Sequence, residues 1–387
     1  MSVTSDRPLH ALEIGMAWDQ GGSAGGLDRA YRDICLGLPR AGVRVTGVVL
    51  GPAGSSAFEG GIVHRSGAAD RPLARRLLEI GRTVARIRQD GAPDLVASHF
   101  SLYALPAVAW LRDRPIVAHF HGPWAGESAA EGQGRVAVAL KRRIEATVYH
   151  RAERVIVLSR AFGELAQRTY RVPAERIRVV PGQVEIERFD RPETRAEARA
   201  ILGLPNDRPI VLSLRRLVRR MGLAQLIDAM AEVRRALPEA LLCIGGRGPE
   251  RAELERRIRE RDLEAHVRLL GFVPEDHLPL LYRAADLVVL PSLALEGFGL
   301  VAAEALAAGT PVLVAPTGGL PEVVDALAPG LVMAANAPAE IAAAIGAALR
   351  GRLPLPDDAT CRAYARERFD PARANRSIAE IYREATH

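Results

Sequence analysis

Residues 285–325 read ADLVVLPSLALEGFGLVAAEALAAGTPVLVAPTGGLPEVVD. Leu287 to Leu290 is a short apolar run closed by Pro291, the pattern of a strand buried on both faces of a parallel sheet. Gly297 and Gly299 then bracket the start of an alanine-rich helix, whose first backbone N–H groups have no partner inside the helix and suit a phosphate. Glu296 stands at the mouth of that helix and Glu304 about two turns inside it, among Ala302, Ala303, Ala305 and Ala307. A carboxylate in so small-sided a neighbourhood is costly to bury without a partner. The vicinal hydroxyls of a ribose supply one, since both can donate to a single carboxylate. A second strand, Pro311 to Ala315, runs into Thr317-Gly318-Gly319-Leu320-Pro321-Glu322, another glycine loop opening another helix. Any one of these pieces is ordinarily only a turn or a surface acid. Their joint occurrence points to a sugar bound through a nucleoside diphosphate.

Outward from this stretch, 387 residues exceed what one hydrophobic core usually fills, so two domains are expected. Composition is that of a soluble globular protein, 48% hydrophobic and 25% charged. The run Leu9 to Ala17 is interrupted by His10 and Glu13 and does not resemble a signal peptide, and the longest uncharged run, Ala305 to Pro321, is broken by glycine and proline and reads as a strand with its flanks. Cys35, Cys243 and Cys361 are far apart with no metal-ligand spacing. Free thiols and a cytoplasmic location, peripheral at most to the inner face of the membrane, are expected. A net charge of +6, nearly all of it arginine, admits phosphate-bearing ligands or an anionic membrane. Nucleic acid is disfavoured by the few aromatics and the lack of a reading module among the basic clusters.

Along the chain, Leu9 to Met16 reads as a strand followed by the glycine loop 20–26, with Gly25 and Gly26 placed to let main chain approach a ligand, then a helix from about Leu27 to Arg40 and the strand Val43 to Leu50. The doubly wound βαβ alternation begins here. Between Arg71 and Arg88, Leu73, Leu77, Ile80, Val84 and Ile87 mark one face of a helix and Arg71, Arg75, Arg82 and Arg86 the other, a solvated stripe or a surface for an anionic membrane or a lipid-linked acceptor. Strands Asp94 to Ser98 and Pro115 to Phe120 end at His99 and His121, where α/β sheets place ligands, with Trp124 just beyond. His119 is expected to point the other way along its strand. A long helix Arg135 to Arg151, the strand Arg154 to Leu158 and the strand Ile177 to Val180 follow, and the pattern weakens over residues 183–208. The second half restarts at Pro209 to Leu214, which enters Arg215-Arg216-Leu217-Val218-Arg219-Arg220-Met221-Gly222. Four arginines there can neutralise a diphosphate without a metal, and the chain has no Asp-x-Asp pair to anchor a divalent ion. Strands Ala240 to Ile244 and Val267 to Leu270 run into Gly245-Gly246-Arg247-Gly248-Pro249 and Gly271-Phe272-Val273-Pro274.

Together these positions resemble the retaining GT-B glycosyltransferases of glycosyltransferase family 4 over almost the whole chain. Glu296-Gly297-Phe298-Gly299 through Glu304 is similar to the family's E-x7-E motif, His121-Gly122 to its active-site histidine, and Ile156 to Ser159 to its strand before the linker. The resemblance implies two Rossmann-like doubly wound parallel-sheet domains facing an interdomain cleft. An acceptor-binding domain spans residues 1–190, a nucleotide-sugar domain residues 191–370, and a helix over about 371–387 packs back on the first. It further implies that Glu304 holds the ribose, Glu296 the transferred sugar, Phe298 to Leu300 the diphosphate through backbone N–H groups, and Phe272 and Val273 the base, with Gly246 also on the donor. Two departures stand out. Met221 replaces the family's lysine before Gly222, so Arg216 with Arg220 or Arg219 has to balance the phosphates, and Pro181-Gly182-Gln183-Val184-Glu185 differs from the usual Pro-Asn/Gly-Gly-Val-Asp turn.

The expected reaction moves a sugar from a nucleoside-diphosphate sugar to a hydroxyl of a carbohydrate, lipid-linked or small-molecule acceptor, with retention and without metal or cofactor. His121, Arg216, Arg220 and Glu296 are the expected catalytic residues, with His99 and Trp124 on the acceptor side. A GT-B nucleotide-sugar epimerase and a non-catalytic nucleotide-sugar-binding protein are the alternatives.

Overall fold

The computed structural model describes residues 7–18 and 26–387. Gly25 and most of the first glycine loop lie outside the described residues. The chain divides into two units, one formed by residues 1–181 and 371–387, the other by residues 182–370.

In the first unit the strands β1 (Leu9–Ala17), β2 (Val43–Phe58), β3 (Gly61–Gly67), β4 (Leu95–Ser98), β5 (Ile116–Phe120), β6 (Arg154–Val157) and β7 (Ile177–Val179) form one sheet in the order β3-β2-β1-β4-β5-β6-β7. The central pairings are parallel. Strand residues alternate between two apolar layers, because successive side chains point to opposite faces. Leu12, Ile14, Val96, Ile116, Ala118 and Val155 join the layer of Ile80 and Val84. Ala11, Leu95, Ala97, Val117 and Ile156 join the opposite layer, with Tyr31 and the C-terminal helix Pro371–Thr386, which buries Ile378, Ala379, Ile381 and Tyr382 there.

The second unit is a parallel sheet of β8 (Ile210–Leu214), β9 (Leu241–Gly245), β10 (Val267–Gly271), β11 (Leu287–Leu290) and β12 (Val312–Val314), ordered β10-β9-β8-β11-β12. Helices alternate with these strands, as parallel connections require.

Several elements differ from their sequence-based expectation. β2 runs past Leu50 to Phe58, and beyond Gly51 its register with β3 reverses, from Gly54 opposite Arg65 to Phe58 opposite Gly61. The helix Ser101–Trp110 carries Pro106 inside an almost uniformly apolar stretch, so no periodicity announced it. The unit boundary falls after Pro181 and not after Asp190, because residues 182–190 pack with the second unit. Val184 N donates to Phe369 O at 3.0 Å, and the Phe189 ring lies 5.8 Å from that of Tyr282. No helix among the described residues is long and apolar enough to cross a membrane.

Candidate active site

In a doubly wound sheet the strand order reverses at one point, and ligands bind outside the carboxyl ends of the strands there. In the second unit that point lies between β8 and β11. Arg215 follows β8 and Ser292 and Glu296 follow β11, and one Arg215 nitrogen, Nη2, donates to both the Ser292 hydroxyl and the Glu296 carboxylate. Ser292 Oγ donates to the same carboxylate oxygen at 3.0 Å. The Arg215 side chain is 5% exposed and that of Glu296 12%, so this ion pair is largely withdrawn from water. The loops around it are tied together by main chain. Leu217 N donates to Arg247 O at 2.9 Å, Gly246 N to Gly271 O at 2.7 Å, Leu293 N to Arg220 O at 2.8 Å and Gly319 N to Glu296 O at 2.9 Å. Two glycines make this close approach possible. A Cβ on Gly246, at φ +138°, would lie 1.8 Å from Arg215 O, and one on Gly318, at φ +57°, 2.1 Å from Glu296 O.

The turn that presents Glu296 places Leu295 at φ +55°, an unfavourable conformation for a branched side chain, and Arg220 Nη1 donates to Leu295 O at 3.2 Å. Arg220 is buried and braces the turn, whereas Arg216 is exposed at the strand end. The residue that grips Glu296 is therefore Arg215, not Arg216 or Arg220. Met221 is buried and contributes no charge.

Beyond Gly297 and Gly299 the helix Leu300–Ala307 begins, its first N–H groups left over by helix geometry. The Phe298 side chain is core, edge-on to Phe369 at 5.5 Å, so only its backbone is available to a ligand. Glu304 is 5% exposed and its Oε2 accepts from the Tyr282 hydroxyl at 2.6 Å, which supplies a partner that the local sequence does not show. Phe272 is 42% exposed, with the Arg247 guanidinium 4.5 Å from its ring centre and Val273 half-buried beside it.

In the first unit the reversal lies between β1 and β4. Glu13 on β1, His99 just past β4 and His119 and His121 at the end of β5 share one face of the sheet. The expectation that His119 turns away from His121 was wrong, because residues two apart on a strand point the same way. Their rings lie 5.9 Å apart at 13°, and the His119 ring stacks on His99 at 4.1 Å. Glu13 is fully buried. Its Oε2 is 2.7 Å from His99 Nε2, and its Oε1 accepts from the Tyr382 hydroxyl at 2.9 Å. Tyr382 Oη also lies 2.8 Å from His119 Nε2, and His99 Nδ1 lies 2.9 Å from His121 Nε2. Burial, then the neighbouring His99, hold the His121 imidazole down to about 3, and burial keeps His119 well below the usual histidine range. His121 is half-buried and the other two imidazoles are buried.

Nitrogens of the three imidazoles lie within 4.8 Å of one another, the one such group among the described residues that could be asked to hold a metal. The rings are nearly parallel, however, at 14°, 23° and 13°, and two of the nitrogens are already hydrogen-bonded to each other. Ligand lone pairs lie in the ring planes, so stacked rings do not converge on one ion. The cluster suits proton sharing. Trp124 N and Ala125 N donate to Glu145 at 2.7 and 3.0 Å, which fixes the start of the helix Trp124–Ala130, and Lys141 Nζ stands 4.6 Å from the Trp124 ring centre. Gly26 is exposed at the start of its helix. A cavity of about 560 Å³ opens at the other end of β1 and β2, lined by His10, Arg44, Thr46 and Asp90, and it holds none of the residues above.

Neither Glu13, Tyr382, Tyr282 nor Arg215's particular role was expected. For Glu13 a signal existed, since an acid in the apolar strand Leu9–Ala17 has to find a buried partner.

A family model described as Glycosyl transferases group 1 matches residues 194–368, and one described as Glycosyltransferase Family 4 matches residues 24–188. The D-inositol 3-phosphate glycosyltransferase of Nocardia farcinica is 36% identical over 325 residues, 80% of this chain and 69% of the relative. That of Corynebacterium jeikeium is 32% identical over 365 residues, 90% of this chain and 81% of the relative. Among solved structures, sucrose-phosphate synthase from Thermosynechococcus elongatus matches with a TM-score of 0.79 at 24% identity, covering 97% of this chain and 98% of the other. Anabaena HepE in complex with UDP and glucose matches at 0.77 and 24%, covering 97% and 100%. The structural likenesses carry the fold and the sequence relatives the kinship: this chain is a glycosyltransferase of family 4, built from the two Rossmann-like units of the GT-B class.

Proposed function

We propose that the protein transfers a sugar from a nucleoside-diphosphate sugar to an acceptor hydroxyl, with retention of anomeric configuration and without a metal ion. The observation that carries this reading is the buried Arg215–Glu296 pair at the strand-order reversal of the second unit, next to a helix start and to the buried Glu304. Glu304, steadied by Tyr282, is assigned to the ribose hydroxyls. Glu296 is assigned to the transferred sugar, and the N–H groups at Phe298 to Leu300 to the diphosphate. Phe272 and Val273 flank the base. Arg215 fixes the carboxylate, and Arg216, exposed at the same strand end, supplies charge for the leaving phosphates, whose negative charge grows as the glycosidic bond breaks. Arg220 acts on the donor through the Leu295 turn. His121, hydrogen-bonded to His99 and three residues before Trp124, orients the acceptor or the transferred sugar.

The relatives carry the name D-inositol 3-phosphate glycosyltransferase, so a phosphorylated polyol is the first acceptor to try, and the HepE complex makes a UDP-sugar the first donor. A cytoplasmic enzyme touching an anionic membrane is consistent with exposed Arg71, Arg75, Arg82 and Arg86 on the helix Leu73–Gly91 and just before it. The test is UDP release from UDP-sugars in EDTA, with and without inositol phosphate or a broader hydroxyl panel. Release that requires the acceptor and survives EDTA is expected. Conversion of the UDP-sugar to its epimer with no acceptor present would favour the epimerase, and tight UDP binding without turnover the non-catalytic binder.

A further inference from the structure

We propose that Glu13 is a positioning residue that fixes the tautomer of His121, so that His121 meets its substrate with an unprotonated Nδ1 and accepts a hydrogen bond from a hydroxyl. This rests on the glycosyl-transfer reading for the identity of the substrate, but the tautomer itself can be read without any substrate.

Protons can be assigned along the network one bond at a time. A carboxylate has none to give, so both Glu13 oxygens accept: Oε1 from the Tyr382 hydroxyl and Oε2 from His99 Nε2–H. Tyr382 has then spent its single proton, and the contact at 2.8 Å needs His119 Nε2–H as donor. A neutral His99 with its proton on Nε2 has a lone pair on Nδ1. The contact at 2.9 Å to His121 Nε2 is therefore filled by a proton from His121. Neutral His121 has one N–H, and with that on Nε2 its Nδ1 is an acceptor. A single buried anion thus determines the orientation of three imidazoles. The arrangement is held from both ends of the chain, since Glu13 sits on β1 and Tyr382 on the C-terminal helix. The half-buried His121 is where this chain of bonds reaches the surface.

Glu13→Gln puts the assignment to the test, because a carboxamide can donate to His99 Nε2. The proton of His99 then moves to Nδ1, is donated to His121 Nε2, and drives the His121 proton to Nδ1. The experiment is long-range proton–nitrogen correlation NMR of protein labelled with nitrogen-15 histidine, at pH 8.5, about two units above the ordinary histidine value. The His121 signals are assigned by their loss in His121→Asn. The wild type is expected to show His121 as the Nε2–H form, Glu13→Gln to shift it to the Nδ1–H form, and Tyr382→Phe to leave it as Nε2–H. In the transfer assay Glu13→Gln should lower kcat roughly tenfold or more, with the donor KM within about twofold, because the nucleotide is assigned to residues of the second unit. A wild-type His121 found with its proton on Nδ1 would overturn the proposal, even if Glu13→Gln failed to fold. So would a folded Glu13→Gln in which His121 and His119 both kept the Nε2–H form, because a carboxamide has one accepting oxygen and has to reverse either the His99–His121 contact or the Tyr382–His119 contact. A wild type that transfers to no acceptor would instead sink the glycosyl-transfer reading, and the spectra would still decide the role of Glu13.

Discussion

Arg215 and Glu296 show how much depends on one residue of register at a strand end. Both Arg215 and Arg216 follow β8, yet one is buried against Ser292 and Glu296 and the other is exposed. The sequence shows four arginines in six positions but not which guanidinium turns inward, since that is settled by the pleat and by neighbouring loops. The two acids were legible because they are spaced along a helix start bracketed by glycines. Tyr282, the partner of Glu304, lies on a different helix, Leu278–Ala284, with no motif to mark it. Removing one member of a buried ion pair leaves the other uncompensated. Arg215→Met is therefore expected to destabilise the protein by about 3 kcal/mol, read from urea unfolding. The double variant Arg215→Met, Glu296→Gln should recover part of that loss. A double variant less stable than the single would contradict the pairing.

At the scale of elements, strands with both faces buried and glycine loops at their carboxyl ends were readable in order. What was missed has a physical reason. The return of β2 along β3 begins at Gly51 and Pro52 and is rich in glycine and serine, which reads as loop, and the helix Ser101–Trp110 is almost uniformly apolar, its exposed Trp110 included, so that it shows no amphipathic period. The start of the helix Trp124–Ala130 depends on a residue of the next helix. Glu145 accepts from Trp124 N, Ala125 N and the Tyr170 hydroxyl at 2.7, 3.0 and 2.7 Å. Burial raises its carboxyl above the usual range, and the three donors pull the other way. Glu145→Gln keeps the shape but offers one accepting oxygen in place of two. It is expected to cost about 1–3 kcal/mol and to speed amide exchange at Trp124 and Ala125. Exchange there that matches the wild type would show that the capping is not what holds this helix.

Over the whole molecule, each unit carries its polar residues at its own reversal of strand order, and the first unit adds buried histidines that respond to acid. In the first, His119 and His121 are depressed by burial and His10 is brought to about 4 by burial, Arg44 and Arg7 against the pull of Asp94. Depressed histidines stay neutral when folded and charge when unfolded. Their contribution is complete above the unfolded value near 6.5 and is lost as pH falls toward the folded values. The urea midpoint of the first unit's transition is expected to fall between pH 7 and pH 5, and His119→Gln should flatten that fall. A midpoint independent of pH across this window would contradict neutral, buried rings. The domain pattern was legible, while the boundary after Pro181 was not, because residues 182–190 are irregular in sequence and are claimed by packing.

The most direct test of the nucleotide-sugar assignment is titration calorimetry of UDP, GDP and ADP into the wild type and Glu304→Ala. Loss of hydrogen bonds to a carboxylate is worth about 1.5–3 kcal/mol, roughly ten- to hundredfold in affinity. The expected result is that one of the three nucleotides binds the wild type and binds the variant at least about tenfold more weakly. Equal binding by a folded variant, or no binding of any of the three to the wild type, would contradict the assignment of Glu304 to the ribose.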